Sequence, residues 1–342
     1  MSIRLLTAFA IAGFASVGFA QTQERTLYFE PTITTQGANE IVSALRTITE
    51  TPQLAIDETR KSLTLRGTAA QVATAEWLFE QLSNPSGGTA KFTIPGAPDQ
   101  MVQVFYFANL SMPMGIAQAV NALRTVAEIQ RMMACQGAHA IAMRGTAGQA
   151  ALAEWIVNAL DKPADWQPPE SERWASYDYS ASLTHGDTAS AVRVFYTAHL
   201  DKPQDLTEVL NLTRTVAEVQ RMFGVSERNA VVLRDTPARA ALAEWLLNAL
   251  DQPAGWQPSA DQNPARYEYR EDSPRSMGQT DFARVFYLEP AITQQALSAL
   301  TNRIRVSVGV QRMFATTAHH AIALRGTASQ VTAAERLVTA RK

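Results

Sequence analysis

The 342-residue chain has little cysteine and few charges. Cys135 is its one cysteine, which excludes an internal disulfide framework, so we expect a buried or half-buried free thiol and a fold held by packing. Charged residues make up 18% of the chain and the formal net charge is −2. Nucleic-acid-binding proteins usually carry a basic stripe, so this balance argues against a nucleic-acid partner.

The N-terminus has an apolar run that is too short to cross a membrane. Arg4 precedes an apolar stretch over about residues 5–15, and the small residues Gly18 and Ala20 follow. These features predict a signal peptide over residues 1–20, with cleavage after Ala20. A membrane anchor is the alternative, but spanning a bilayer takes roughly 20 apolar residues. We expect a periplasmic or secreted protein without a stable membrane span after cleavage.

What the sequence does contain is an internal repeat. Residues 144–163 read RGTAGQAALAEWIVNALDKP and residues 234–253 read RDTPARAALAEWLLNALDQP. Self-similarity of this kind indicates a repeated structural unit. Four copies align without gaps when each is anchored on a tyrosine and on the arginine 38 residues after it. These pairs are Tyr28 with Arg66, Tyr106 with Arg144, Tyr196 with Arg234 and Tyr287 with Arg325.

Each copy changes its hydrophobic period in the same order. VQVFYF at 102–107 is β-branched and aromatic, which predicts a strand. A helical face follows, with Ile116, Ala119, Val120, Leu123 and Val126 spaced by three and four. Apolar runs at 128–134 and 140–144 around a polar turn predict a hairpin, and a second helix closes the unit. The predicted order is βαββα.

The second helix has clear start signals. Three units pair a threonine with a glutamine in a capping box: Thr68 with Gln71, Thr146 with Gln149, and Thr327 with Gln330. The third unit has Thr236 followed by Pro237 at the first helical position. Before the cap we expect positive φ at Gly67, Gly145 and Gly326, and Asp235 in the third unit tolerates that conformation.

Proline-rich, polar connections separate the later units. The predicted organisation is a signal peptide (1–20), unit 1 (25–85), unit 2 (102–163), a linker (164–191), unit 3 (192–253), a linker (254–282) and unit 4 (283–342). Both linkers carry a Trp-Gln-Pro step and a pair of tyrosines that could add a short edge strand. The first connection is shorter and lacks these features, so we expect the first two units to lie closer together.

These βαββα units of about 60 residues, with Leu-Arg-Gly-Thr before a helix that ends in Ala-Leu-Asp-x-Pro, resemble the short KH-like N-terminal domains of bacterial secretins. The resemblance implies an α+β tandem array of four units joined by Pro-rich linkers, exported, whose units associate with one another or with a protein partner. Secretins continue into a β-rich channel domain that these 342 residues lack, so channel activity is not implied.

Residues with catalytic or metal-binding chemistry do not converge on one pattern. His139 and His320 occupy equivalent hairpin turns where other units carry Lys61 and Asn229, which favours solvated turn residues over zinc ligands. The remaining histidines are His185, His199 and His319. Acids recur at one helical position, which favours ion pairs or a solvated face over catalysis, and they are Glu76, Glu154, Glu244 and Glu335. We expect no catalytic, cofactor or metal site.

Tryptophans are the candidate contacts between units. They are Trp77, Trp155 and Trp245 on the second helices and Trp166 and Trp256 in the linkers. Arg336 stands at the helical position in the fourth unit, and terminal repeats often lose residues that pack on a neighbour. The alternative is that each tryptophan fills only its own core. The leading hypothesis is an exported, non-enzymatic scaffold for protein–protein interaction, associated with an envelope secretion or pilus complex. A self-assembling envelope protein is the alternative, and a hydrolase with an inter-unit site is third.

Overall fold

A computed structural model describes residues 22–51, 53–163, 165–169, 173–179, 190–200, 202–253, 256–258, 266–270 and 280–340. These residues form an α+β fold with eight helices and four small antiparallel sheets. The predicted signal peptide and His185 lie outside the described residues. Within the described ranges, no helix combines the length and the apolar character that a membrane crossing requires.

The first two sheets and their helices use the chain up to residue 160. The first sheet has the order β1-β3-β2, and its region consists of β1 (Gln23–Tyr28), α1 (Thr35–Thr49), β2 (Gln53–Asp57), β3 (Ser62–Gly67) and α2 (Ala69–Ser83). The second sheet has the order β4-β5-β7-β6, and its region consists of β4 (Thr89–Thr93), β5 (Gln100–Tyr106), α3 (Met114–Val126), β6 (Arg131–Cys135), β7 (Ala140–Thr146) and α4 (Ala147–Leu160).

The third and fourth sheets follow the same plan as the second. The third has the order β10-β11-β9-β8, with β8 (Trp174–Tyr179), β9 (Ser190–Tyr196), α5 (Pro203–Ala217), β10 (Arg221–Val225), β11 (Ala230–Asp235) and α6 (Pro237–Leu250). The fourth has the order β12-β13-β15-β14, with β12 (Tyr267–Tyr269), β13 (Asp281–Tyr287), α7 (Gln294–Val308), β14 (Arg312–Thr316), β15 (Ala321–Gly326) and α8 (Ala328–Thr339).

Three sheets gain an edge strand from the connection that precedes them. The tyrosine pairs form β8 and β12, as their alternation allowed. The first connection also supplies an edge strand, β4, with Phe92 at the aromatic position, although it has neither the Trp-Gln-Pro step nor the tyrosine pair of the later linkers. Its sequence, TAKFT, has one aromatic residue instead of two tyrosines, which hid the similarity.

Each later sheet lies between two sets of helices. One face packs on the helices of its own unit, and the other packs on the helices of the preceding unit. At the first boundary, Ile41 and Leu45 of α1 share one apolar cluster with Val102 of β5 and with Ala140 and Ala142 of β7. Because buried residues from adjacent units form joint clusters, the units are packed against one another and are not separate domains on flexible linkers.

The predicted helix starts are confirmed. Thr68, Thr146 and Thr327 each form a complete capping box with the glutamine three residues later. In the third unit, Thr236 Oγ1 accepts from the Arg239 N–H and Pro237 occupies the first turn.

The prediction of positive φ before these caps is wrong. Among the described residues, the glycines with positive φ are Gly87, Gly88, Gly96 and Gly309, not Gly67, Gly145 or Gly326. The physical reason for glycine here is space, because a Cβ on Gly67 would lie 2.9 Å from Gln71 Oε1, the atom that accepts from the cap amide.

The third unit solves the same capping problem differently. Arg239 stands where the other units have glutamine, so the space is not needed and Asp235 can replace the glycine. Asp235 Oδ1 accepts from the Thr236 N–H at 2.8 Å, which is the bond that glutamine makes elsewhere. Asp235 therefore provides a cap hydrogen bond instead of tolerating a left-handed backbone.

Left-handed backbone occurs at two other recurring positions. The hairpin-turn residues Lys61, His139, Asn229 and His320 have φ values of 47°, 49°, 45° and 44°. The residues that end the first helices, Glu50, Glu128, Glu218 and Gly309, have φ values of 54°, 55°, 59° and 71°. The predicted strand over 128–134 accordingly begins later, at Arg131, because Glu128 forms the left-handed turn that follows the cap of α3, Ala127.

Candidate functional site

The contacts that recur in the described residues lie where one sheet meets the helices of the preceding unit. We call these boundaries junctions. The first junction joins α1 and α2 to the second sheet, the second joins α3 and α4 to the third sheet, and the third joins α5 and α6 to the fourth sheet.

At each of the three junctions, a glutamate that follows the first helix of one unit contacts the next sheet. A non-glycine residue in left-handed backbone costs about 1–2 kcal/mol, so a side-chain contact should offset that strain. Each glutamate binds two arginines of the next sheet, and we call these three residues the junction clamp. The clamps are Glu50 with Arg131 and Arg144, Glu128 with Arg221 and Arg234, and Glu218 with Arg312 and Arg325.

The second clamp shows the geometry most clearly. Arg221 Nε lies 2.8 Å from Glu128 Oε1, and Arg234 Nη2 donates to Glu128 Oε2. The Arg234 side chain is 1% exposed, and its guanidinium lies 5.1 Å from the Tyr179 ring centroid. A buried guanidinium needs a counter-charge, so Glu128 is the group that makes burial of Arg234 acceptable.

The same ion pairs control the protonation of these carboxylates. Burial raises the pKa of Glu128, but the hydrogen bonds from Arg221 and Arg234 outweigh it and hold the pKa below its usual value of 4.5. Burial likewise raises the pKa of Glu218, and Arg312 and Arg325 lower it further than burial raises it. The second and third clamps therefore carry negative carboxylates at neutral pH.

A second recurring contact joins each first helix to the hairpin turn of the next unit. Glu40 Oε2 accepts from the Gly137 N–H at 3.0 Å. Gln118 donates to Ser226 Oγ at 2.8 Å and accepts from the Glu227 N–H at 3.2 Å.

At the third junction this contact is a larger network around one carboxylate. Glu208 accepts from the hydroxyls of Thr316 and Thr317 and from the amides of Thr317 and Ala318, at 2.7 to 3.2 Å. Burial raises its pKa, but the four hydrogen bonds outweigh burial and lower it below 4.5. Glu208 therefore ties the start of the hairpin turn to α5.

Tyrosine hydroxyls link the sheets to the ends of the second helices. Tyr106 donates to the Gln81 carbonyl at 2.8 Å, and Tyr196 donates to the Ala159 carbonyl at 2.9 Å. Tyr287 makes the equivalent bond to Ala249. Burial raises the pKa of Tyr196 and Tyr287 to about 12, so these hydroxyls stay protonated and remain donors.

The candidate tryptophans lie at the junctions. The ring centroid of Trp77 lies 5.3 Å from Phe92, that of Trp155 lies 5.4 Å from Tyr177, and that of Trp245 lies 5.5 Å from Tyr267. In each pair the partner is the aromatic residue of the next sheet's edge strand. Trp166 and Trp256 lie 4.9 Å and 5.1 Å from the junction tyrosines Tyr196 and Tyr287.

The two ends of the array lack these contact residues. In the first unit, Gln53 replaces the first clamp arginine, Arg66 pairs with Glu24 of its own sheet at 2.8 Å, and Tyr28 is 69% exposed. In the fourth unit, Gly309 replaces the clamp glutamate and Arg336 replaces the tryptophan.

The apolar surface at each junction is replaced at the ends as well. On the first helices, Leu212 and Val216 are fully buried against the next sheet, whereas Arg303 and Ser307 stand at these positions in the fourth unit and are exposed. On the sheets, positions that carry buried valine or alanine in the later units carry Glu24, Thr26, Ser62 and Thr64 in the first. Polar end faces are typical of the caps of solenoid arrays.

Clefts beside the second and third junctions contain the linker tryptophans. Trp166 and Tyr196 line a cleft of about 90 Å³. Trp256 and Tyr287 line another of about 220 Å³, with His199, His319 and His320 around it. Burial lowers the pKa of His319, opposed by the charges of Asp205 and Glu208. In the described part of the chain, no group of three histidine, cysteine or carboxylate side chains is placed to hold a metal ion.

The cysteine and the four recurring helical acids, which were the other candidates for a reactive site, lie in surroundings that suit a structural role. Cys135 is 1% exposed and burial raises the pKa of its thiol to about 12, which makes it a poor nucleophile at neutral pH. Three of the four recurring helical acids form ion pairs, Glu76 with Arg25, Glu154 with Lys91, and Glu335 with Arg284. Burial raises the pKa of the fourth, Glu244, and Arg193 opposes that rise.

Comparison with known proteins gives matches among solved structures only. The chain is similar to ExeD of Aeromonas hydrophila over 68% of its length, at 14% identity and a TM-score of 0.16. It is similar to the type II secretion system secretin GspD of E. coli K12 over 69%, at 13% identity and a TM-score of 0.17. It spans about two fifths of those two chains, 41% and 40%.

A third similar structure is XcpQN012, matched over 68% of this chain and 100% of that one, at 15% identity and a TM-score of 0.22. No protein-family model and no curated protein matches the chain. TM-scores of this size are too low to establish a shared arrangement of the whole chain.

The junction glutamates are the residues that sequence reasoning missed. Glu50, Glu128 and Glu218 lie at one position of the gapless alignment, and Gly309 takes that position in the fourth unit. Exchange of glutamate for glycine is a signal for left-handed backbone, and it was present in the sequence. The assignment of residue 128 to a strand concealed it.

Proposed function

We propose that the chain is an exported, non-enzymatic scaffold for protein–protein interaction, built as a tandem array of four secretin N-domain-like units. We further propose that it acts in the periplasm or outside the cell, as part of an envelope secretion or pilus complex. The observation that carries the proposal is the set of three junctions, which pack four units into one array and leave polar ends.

The junctions favour a rigid array over a flexible string. Each junction combines a shared apolar cluster with a clamp, a hairpin contact, a tyrosine hydrogen bond and an aromatic pair. A packed array presents its surfaces at set distances, so it can hold a partner in one orientation without an ordering cost at each linker. Binding sites are then expected along the sides of the array, at hairpin turns and strand edges.

The polar ends support this function over self-assembly through the junction surface. A chain that stacked end to end would need a clamp glutamate at its last unit and two clamp arginines at its first, and it has Gly309 and Gln53 there. We therefore propose that stacking is completed within one chain and that other molecules bind elsewhere. Association side by side into rings remains the alternative that the experiment below distinguishes.

The absence of enzymatic activity is also part of the proposal. The histidines beside the 220 Å³ cleft are the candidates for a hydrolase site, and His319 is held mainly neutral by burial. Its neighbour Glu208 is held at the third junction, where it accepts from the threonine hydroxyls and from two main-chain amides. A carboxylate in that state is occupied with structure and is a poor base.

The test is sedimentation of the mature chain, from residue 21, combined with cross-linked capture from the native envelope. We expect a monomer at all concentrations, and recovery of a secretin, pilus or other envelope-complex component with the chain as bait. The matched control is the Trp155→Ala variant, in which a loosened second junction should lower recovery. A closed ring or a fibre without other proteins would favour the self-assembly alternative, and hydrolytic activity lost in His319→Ala would favour the enzyme.

A further inference from the structure

One edge of each later sheet is filled by a strand from the preceding connection. β4 pairs with β5, β8 pairs with β9, and β12 pairs with β13, all antiparallel. The first sheet ends at β1, and no strand within the described residues pairs with its outer side. Three of the four sheets therefore show what occupies a position that stays open on the first.

The outer edge of β1 has main-chain amides in the right places for an added strand. The Phe29 N–H donates to the Lys61 carbonyl at 2.8 Å, so odd-numbered amides of this strand face β3. By the alternation of an antiparallel ladder, the amides of Glu24, Thr26 and Tyr28 point away from the sheet. At the equivalent of Tyr28 in the second sheet, the Tyr106 N–H donates to the Gly88 carbonyl at 2.9 Å.

The side chains at this edge leave room for an added strand. The residues of β1 are exposed apart from Leu27, which is half-buried, and Tyr28 at its end is 69% exposed. An edge strand without bulge, proline or covering element is a template for strand pairing. On the helix side of the strand, Arg25 Nε lies 3.0 Å from Glu76 Oε1 of α2.

We propose that the outer edge of β1 binds an extended segment of another protein, which adds to the first sheet as its fourth, antiparallel strand. This inference rests on the proposed function, since it names the surface through which the scaffold would hold a partner. Main-chain bonds to Glu24, Thr26 and Tyr28 supply the affinity, as in other cases of strand addition.

The occupied edges indicate the chemistry of that segment. They are filled by 3 to 6 residues in which alternate side chains face the preceding unit, such as Phe92 and Tyr177. Within the described ranges, the strands that would suit the edge are already paired in their own sheets and packed on tryptophans. The occupant is therefore a partner segment of about six residues, with aromatic or β-branched side chains alternating with polar ones, one of them beside Tyr28.

The experiment compares Thr26→Pro with Thr26→Ala in the mature chain. Proline removes an amide that faces outward, so it blocks pairing with an added strand without breaking a bond to β3. Alanine keeps that amide, and both variants lose the same exposed hydroxyl contact to Thr64. The probe is a synthetic peptide with the β8 sequence, WASYDY, which forms this kind of edge in the third sheet.

We expect the peptide to bind and to protect the amides of Glu24, Thr26 and Tyr28 from hydrogen exchange. Binding should persist in Thr26→Ala and weaken at least tenfold in Thr26→Pro. Binding that is equal in both variants, or no protection of these amides, would overturn the edge site. Protection that grows with protein concentration without peptide would also overturn it, because a second copy would then be the occupant.

Failure of this site and failure of the proposed function are distinguishable. If an envelope protein cross-links equally well to wild type and to Thr26→Pro, the scaffold function stands and the edge is not the surface used. If no envelope protein cross-links to either chain while the peptide still protects β1, the edge is competent but the proposed function fails.

Discussion

Replacing Glu128 by glycine tests whether the clamp or the backbone decides stability at the second junction. The exchange is one that the chain itself makes, since Gly309 holds this position in the fourth unit. Glycine suits the left-handed conformation of residue 128, at φ 55°, better than glutamate does. The same substitution removes the carboxylate from Arg221 and from the buried Arg234.

The two effects have opposite signs and different sizes. Relief of the left-handed strain would stabilise the fold by about 1 kcal/mol. Loss of one partner of a buried pair costs about 3–5 kcal/mol, and the lower end applies because the Glu128 side chain is 38% exposed. The net expectation is a loss of about 2 kcal/mol, with the Tyr179 ring as the contact that Arg234 keeps among the described residues.

The matched control is the reverse exchange, Gly309→Glu. A Cβ there meets no atom within 4 Å, so the cost should be the backbone strain alone, about 1 kcal/mol. Both variants are measured by urea unfolding, and native-state hydrogen exchange of the amides in β11 reports opening of the second junction. We expect faster exchange in β11 for Glu128→Gly and no change there for Gly309→Glu.

The sign of the change in unfolding free energy for Glu128→Gly shows whether the clamp or the backbone strain dominates at the second junction. If backbone strain dominated, the variant would be about 1 kcal/mol more stable than wild type. A variant as stable as wild type, or more stable, with unchanged exchange in β11, would show that the carboxylate does not hold the junction.

Three further predictions concern the other junction contacts and the helix caps. Trp155→Ala should cost about 3 kcal/mol in urea unfolding, whereas Arg336→Ala at the equivalent exposed position should cost less than about 0.5. Gly145→Ala should cost about 1 kcal/mol, because its Cβ would lie 3.0 Å from Gln149 Oε1, and less in a Gln149→Ala background; equal losses in both backgrounds would contradict the steric explanation. The free energy of unfolding should decrease below about pH 4.5, because three carboxyl groups have a lower pKa in the folded chain than in the unfolded chain. Such a group stabilises the fold fully above its unfolded pKa, and this stabilisation is lost as the pH falls through its folded pKa. Glutamine at all three such positions should flatten this pH dependence, and an unchanged slope would refute it; the positions are Glu128, Glu208 and Glu218.

Local signals in the sequence were enough to predict the helices and their caps. The three- and four-residue spacing of Ile116, Leu123 and Val126 gave the buried face of α3, and all three are fully or almost fully buried. Threonine–glutamine pairs gave the cap positions, because the capping box depends on residues only three apart.

The clamp and hairpin-turn contacts were harder to predict, because they join residues far apart in the chain, such as Glu128 and Arg221 at 93 positions and Glu208 and Ala318 at 110. The tryptophan position could be proposed from its loss in the fourth unit. The clamp could not, since Glu128 looks like one more exposed acid until the left-handed helix end directs it towards Arg234. The expectation of positive φ at Gly145 was wrong for a similar reason. The sequence does not show that the Gln149 side chain folds back into the space beside Gly145.

The two polar ends make the inner units different in kind from the outer ones. Leu212 and Val216 need a following sheet to cover them, and the valines and alanines of the third sheet need preceding helices. An extra inner unit could therefore be inserted in the middle and would find complementary surfaces on both sides. Deleting the fourth unit would instead expose the apolar face that includes Leu212 and Val216 to solvent. We therefore expect the length of such an array to change by whole inner units.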